Sequence, residues 1–162
     1  MLVGVNGVGG AEVHDTGIAE AYASLMIDWK KLNPEVVSEF RANGGKVAQF
    51  GDLPVVILHT IGARSGSVRE VPLIVIYEGE EMLLFGTAAG ATRHPDWYFN
   101  LRANPRIEVE LGRDRFMADV VELSEDDANA KIATQVASVP QFAAYVESAA
   151  PRTIPVFMIS RV

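Results

Sequence analysis

The sequence predicts an α+β fold, a small and mainly antiparallel β-barrel with helices packed around it and across its openings. Three observations predict it. Six short runs have strand character, at 54–60, 69–78, 81–87, 106–111, 115–123 and 153–160. Two of the joins, Glu78-Gly79-Glu80 and Gly112-Arg113-Asp114, are tight turns that suit hairpins. Helical patterns gather before the first strand, between the third and fourth, and before the last, without the regular strand–helix alternation of a parallel sheet.

Taken in order, the first ten residues are apolar and glycine-rich but lack the basic region and sustained apolar stretch of a signal peptide. Residues 1–16 are expected to be a flexible tail and 17–162 a single domain. Residues 17–43 read as helix, because Ala21, Leu25, Trp29 and Leu32 recur at three- and four-residue spacings. Asn33-Pro34 is expected to interrupt it, with Pro34 opening a second helix through Arg41 and Gly44-Gly45 ending it. Such an amphipathic helix packs on the domain or touches a membrane surface. The runs at 54–60 and 69–78 are rich in Val and Ile, and 81–87 is expected to return as a hairpin partner. Pro95 opens a short helix that Asn104-Pro105 closes. Ile107 to Leu111 alternates apolar and charged residues, as a half-buried strand does. Ser124-Glu125-Asp126-Asp127 signals a helix start, with acidic groups at its positive end, and that helix runs to about Ser138. Pro140 opens a shorter helix through Glu147, and a last strand follows.

With 162 residues the chain is long enough for one domain with a substantial core. Its net charge is -7, which opposes general nucleic-acid binding and broad attachment to anionic lipid. A local cationic pocket built from Arg64, Arg69 and Arg93 remains compatible with that charge. There are no cysteines, so disulfides, thiolate nucleophiles and thiolate metal sites are excluded, which fits a cytoplasmic setting. No apolar run approaches the ~18 residues of a membrane span. Nothing in the pattern reports the oligomeric state.

His14, His59 and His94 are far apart and show no zinc spacing, so no metal site is expected. His14 falls in the expected tail, His59 reads as a core or rim residue, and His94 as a cap or rim residue. No nucleophile elbow, P-loop or dinucleotide fingerprint is present. Acidic pairs such as Glu80-Glu81 and Asp126-Asp127 read as solvated faces or caps.

Chemistry concentrates in two loops. The first, Thr60 to Arg69, sets Gly62, Arg64, Ser65, Gly66 and Arg69 between two strands. Glycines admit close backbone approach, while guanidinium forks, a hydroxyl and main-chain N–H groups suit a phosphate or carboxylate. The plain alternative is a polar surface turn. The second, Thr87-Ala88-Ala89-Gly90, is a small-residue loop leading to the Pro95 helix. There Trp97, Tyr98 and Leu101 share a face that serves as core or as one wall of a site.

Together these segments resemble the deazaflavin-dependent nitroreductase family, oxidoreductases that use coenzyme F420. The first motif is carried by Gly62, Arg64, Ser65, Gly66, Arg69, Pro72 and Leu73. The second is carried by Gly90, Pro95, Trp97, Tyr98, Asn100, Leu101, Ala103, Asn104 and Pro105. The stretch Phe40 to Val47 and the closing Arg152 to Val156 are also similar to the family pattern.

The resemblance implies a split β-barrel. It implies that Arg64, Ser65 and Gly66, with Arg69, hold a cofactor phosphate. Pro72 would run beside the deazaflavin, and Thr87, Ala88, Ala89, Gly90, Asp96 and Trp97 would line its other edge. Phe142 and Tyr145 would lie over the ring face as substrate residues, with Tyr145 as proton donor; ordinary packing three apart on one helix is the alternative. The implied activity is hydride transfer to a small conjugated electron acceptor, a nitroaromatic, quinone or enone. The alternatives are an FMN-dependent oxidoreductase on the same barrel, or a non-catalytic deazaflavin carrier. One departure stands out: Ala88 replaces a lysine common in the family.

Overall fold

The computed structural model describes residues 29–162, with side chains from Asn33 onward. The expected tail, His14, the pattern at Ala21 and Leu25, and the side chains of Trp29 and Leu32 lie outside the described residues. The same holds for the start of the expected domain at residue 17.

Helix α1 (Trp29–Ala42) runs through Pro34 instead of restarting there. Proline removes one intrahelical donor, so the helix depends on its packing. Val36, Val37 and Phe40 supply it by burying against Val55 and Ile57 of β1 (Val55–Ile61). The chain continues through β2 (Val68–Ile74), β3 (Ile76–Glu78), β4 (Glu81–Phe85), α2 (Asp96–Ala103), β5 (Arg106–Leu111) and β6 (Asp114–Glu122). It ends with α3 (Glu125–Ser138), α4 (Phe142–Ala149) and β7 (Val156–Arg161). Ser124 caps α3 as expected, its hydroxyl accepting from the Asp127 N–H at 3.2 Å.

All pairings are antiparallel, and the strands form one sheet in the order β2-β1-β5-β6-β7-β4-β3. The expected strand 69–78 is therefore two strands at opposite edges of the sheet, joined only by Val75. A one-residue link between the first and last strands forces the sheet to curl until its edges meet. Val75 is fully buried at this corner, and its N–H donates to the Pro54 carbonyl at 2.9 Å. The result is the curled, barrel-like sheet that the sequence predicts.

Every strand sends side chains into one central core. Val56 and Leu58 face Leu73 and Val71 across β1–β2; Val109 faces Phe116, Val120 faces Ile159, and Leu84 faces Phe157. Helix α2 closes one end by inserting Trp97, Tyr98 and Leu101 into the same cluster. Each such large apolar side chain contributes roughly 1.5–3 kcal/mol by leaving water. Helices α3 and α4 cover other outer surfaces through Ala128 on Leu83 and Val156, and through Phe142, Tyr145 and Ala149 beside Ile154.

On the sheet face turned toward α1, a polar network at His59 adjoins the apolar packing of Val55 and Ile57. His59 Nε2 lies 2.8 Å from Glu110 Oε2, and Arg41 at the end of α1 donates to both Glu110 oxygens and to Glu70. His59, Glu70 and Glu110 bring ligand-type atoms within 4.8 Å of one another, but the Arg41 guanidinium already satisfies the two carboxylates. Arg41 holds the Glu110 carboxyl down to about 2, with burial opposing and His59 assisting.

Candidate functional site

Between β2, the loop after β4, and α2 lies an open cavity of about 1550 Å³. One end is the 62–67 loop. Its shape is set by its own bonds: the Gly62 N–H donates to Ser67 O at 2.8 Å, and the Gly66 N–H donates to Gly62 O at 2.9 Å. The Ser65 hydroxyl accepts from the Ser67 N–H at 3.2 Å. A Cβ on Gly62 would collide with that hydroxyl, so any larger residue there would turn the Ser65 side chain out of its bond to Ser67. The loop is tied to α2 by the Ala63 N–H, which donates to buried Asn100 Oδ1 at 2.9 Å.

Arg64, Ser65 and Arg69 line this end of the cavity, and Arg93 lines it from the opposite loop. None of these three arginines is ion-paired among the described residues. Glu70 also lines the cavity but is engaged by Arg41. A chain of net charge -7 thus presents a local cluster of unneutralised cations at one place.

The walls are largely apolar, with Asp96 as a charged exception. Pro72 and Leu73 of β2 form one side, Trp97 and Asp96 at the start of α2 form another, and Phe142 of α4, only 1% exposed, backs the far side from within the core. Trp97 is both core and wall: it is 7% exposed and meets Phe157 edge-on at 5.5 Å. The remaining edge is Thr87-Ala88-Ala89. Ala88 and Ala89 have φ of 46° and 55°, a left-handed conformation that costs an L-residue of order 1–2 kcal/mol each.

Arg64, Ser65, Arg69, Pro72, Thr87, Ala88, Ala89, Asp96, Trp97 and Phe142 therefore share one cavity. Gly66, Gly90 and Tyr145 do not line it. Gly66 (φ 69°) completes the loop turn. Gly90 (φ 81°) faces α4, where a Cβ would come within 2.9 Å of Ser148, whose hydroxyl donates to Gly90 O at 2.8 Å. Tyr145 is 9% exposed in the cluster behind Phe142, and burial pushes its phenol up to about 12.

His94 is not a cap. Helix α2 has no side-chain cap bond, and His94 instead stacks on Tyr98 at 4.0 Å. Two residues of the family-like stretches, Asn100 and Arg152, carry structural roles that the sequence reading did not assign. Asn100 entered only as a motif residue; its buried carbonyl oxygen, which ties the anion loop to α2, is seen in the fold alone. Arg152 bonds main-chain carbonyls 61–66 residues earlier in the chain and leaves no local signal of that role.

The family model for F420H(2)-dependent quinone reductase matches residues 32–161. An F420H(2)-dependent quinone reductase of Mycobacterium tuberculosis (strain ATCC 25618 / H37Rv) is 29% identical over 126 residues, covering 75% of this chain and 85% of the relative. A solved structure described as an F420-H2 dependent reductase is similar with a TM-score of 0.56 and 32% identity, over 66% of this chain and 94% of its own. A structure described as a domain-swapped dimer is similar with a TM-score of 0.57 and 29% identity, over 82% of this chain and 100% of its own. These likenesses agree with the resemblance carried by the two loop motifs and with a split-barrel fold. The chain belongs to the F420H(2)-dependent quinone reductase family.

Proposed function

We propose that this chain binds reduced coenzyme F420 in the cavity and reduces a quinone or a related flat, conjugated electrophile. The observation that carries this reading is the division of the cavity into a cationic end and largely apolar walls. Arg64, Arg69 and the Ser65 hydroxyl suit an anionic tail, each charge-assisted bond contributing about 1.5–3 kcal/mol. Gly66 keeps that loop turned. Pro72, Leu73 and Trp97 offer flat apolar surface to a ring, and Thr87, Ala88, Ala89 and Asp96 border its edge. Gly90 acts indirectly by letting the loop approach α4.

When bound, reduced coenzyme F420 supplies a hydride from carbon 5 of its deazaflavin ring. The chain supplies position and exclusion of competing geometries, the usual division of labour with a redox cofactor. Phe142 stands where an apolar acceptor would pack. The acceptor gains the hydride and one proton; the open cavity supplies that proton from water. No helix among the described residues is long and apolar enough to cross a membrane. We infer a cytoplasmic setting, supported by the absence of cysteine, and no nucleic-acid partner, supported by the net charge of -7.

The test is titration of the purified protein with coenzyme F420 and, separately, with FMN. Recovery of the oxidised cofactor's absorbance is then followed on adding a soluble quinone to the reduced F420 complex. F420 binding with quinone-dependent oxidation is expected. Binding of FMN alone overturns the cofactor assignment, and tight F420 binding without oxidation by any acceptor makes the protein a carrier.

A further inference from the structure

We propose that Arg152 is a positioning residue for the cavity, holding the 86–91 loop in the shape that forms its wall. Arg152 lies between α4 and β7, and four of its five donor bonds go to this one loop, the fifth to His94 just beyond it. Nη1 donates to Gly86 O at 3.0 Å and to His94 Nδ1 at 3.2 Å. Nη2 donates to Thr87 O at 3.0 Å and to Ala91 O at 2.8 Å, and Nε donates to Ala91 O at 3.1 Å. A guanidinium has five N–H groups, and all five have acceptors here. None of the acceptors is a carboxylate. Burial lowers the Arg152 pKa from the ordinary arginine value, yet an arginine remains charged under all working conditions.

The loop needs such a hold. Two consecutive alanines are left-handed within a single 3-10 turn, which only the Gly90 N–H on Thr87 O (2.8 Å) and the Ala91 N–H on Ala88 O (3.0 Å) close, with no strand pairing beside it. Arg152 grips carbonyls on both sides of them, at 86, 87 and 91, while Ser148 takes the carbonyl at 90. In a planar trans peptide the C=O and the following N–H point oppositely. With the Thr87 carbonyl turned to Arg152, the Ala88 N–H is turned away from it, at a residue that lines the cavity. The positive guanidinium behind that peptide reinforces its dipole. A chain with alanine where relatives often carry lysine thereby keeps an electropositive donor at this edge, suited to a carbonyl or other acceptor atom on the rim of a flat ring.

That Arg152 shapes the wall follows from its contacts; what the wall touches rests on the proposed function. The test separates the two. Amide hydrogen exchange is measured on the protein without cofactor, for the parent, Arg152→Ala and Arg152→Lys. Coenzyme F420 affinity, and the KM and kcat for reduced F420, are then measured on the same proteins. Arg152→Ala is expected to speed exchange at Gly90 and Ala91 by about tenfold or more while the β1 and β5 amides stay protected. Lysine, with three donors and no fork, restores the protection only in part. F420 affinity falls about tenfold, KM rises more than kcat falls, and free guanidinium ion recovers part of the affinity. Unchanged loop exchange overturns the proposal, as does a uniform rise over the whole sheet, which would mark Arg152 as a general stabiliser. If Arg152→Ala does not fold, Arg152→Lys decides by the same readouts. Failure of the parent to bind F420 overturns the proposed function, while loop exchange still decides the role of Arg152.

Discussion

Arg152 Nη1 lies 3.2 Å from His94 Nδ1, and because a guanidinium only donates, that imidazole nitrogen must be the acceptor. His94 is therefore neutral, with its proton on Nε2. Burial is the main cause that lowers its pKa below the ordinary 6.5; the Arg152 charge comes second, Arg102 adds to it and Glu122 opposes. The unfolded chain thus binds the proton more readily than the folded one. The stabilisation from neutral His94 is complete above pH 6.5 and is lost as pH falls from 6.5 through the lower folded value. Nitrogen NMR is expected to show an unprotonated Nδ1 at neutral pH and a titration midpoint below 6.5. A midpoint above that value would contradict the contact.

At the other end of the cavity, Arg64 is exposed and in no ion pair among the described residues, so its removal does not strand a partner. Arg64→Ala is expected to weaken F420 binding by about 1.5–3 kcal/mol, with an unchanged circular-dichroism spectrum. The parent's affinity should also fall as salt is raised, since exposed charges are screened. Equal affinity in parent and variant would remove the loop from the site.

Trp97 reports on the ring end. It is one of two tryptophans and lines the cavity wall. F420 binding is expected to quench tryptophan fluorescence in the parent and much less in Trp97→Phe. An undiminished quench in the variant would make Trp97 core only and place the ring elsewhere.

Most strand positions were legible because alternation and tight turns are local: β5 falls at 106–111 as read, and β1 is displaced by one residue from 54–60. The break at Val75 was not legible. A continuous run of Val, Ile and Tyr reads as one strand, and only closure of the sheet sends its halves to opposite edges. Pro34 misled for a related reason, since the buried face of α1 outweighs one missing hydrogen bond. In the cavity, charge and glycine spacing marked the anion loop. The three-residue spacing of Phe142 and Tyr145 could not say which ring faces the opening, because that depends on what α4 packs against. Arg152 was hidden because four of its five bonds go to main-chain carbonyls, which every residue possesses.

The Arg41–Glu110 pair makes the fold sensitive to acid. Glu110 sits at about 2 against an ordinary 4.5, chiefly through the Arg41 bonds. A depressed carboxylate stabilises the native state above its unfolded pKa, and this is lost as pH falls from 4.5 toward 2. The shift corresponds to at most about 3 kcal/mol, reduced by water's access to Arg41. Arg41→Ala is expected to move the acid-unfolding midpoint upward and to lower stability at pH 7, because it leaves Glu110 buried beside His59 alone. An acid transition at the parent's pH would show that the pair contributes nothing.

Phe142 and Tyr145 provide the sharpest separation of wall from chemistry. Phe142 lines the cavity, meets Phe85 edge-on at 5.4 Å, and stands 6.1 Å from the Tyr145 ring. Both are buried, Phe142 at 1% and Tyr145 at 9% exposure, and Tyr145 does not line the cavity; burial pushes its phenol up to about 12, so it is neutral across the working range. Tyr145→Phe keeps the ring and removes only the hydroxyl. Loss of a general acid costs about 100-fold or more, so a change in kcat below about tenfold is expected, with no change in its pH profile. Phe142→Leu retains an apolar side chain but gives up the flat wall. It should raise KM for the quinone several-fold while leaving F420 affinity near the parent's, because the cationic loop is untouched. A hundredfold fall in kcat for Tyr145→Phe would instead restore its hydroxyl as proton donor, and would require α4 to turn toward the cavity when substrate binds.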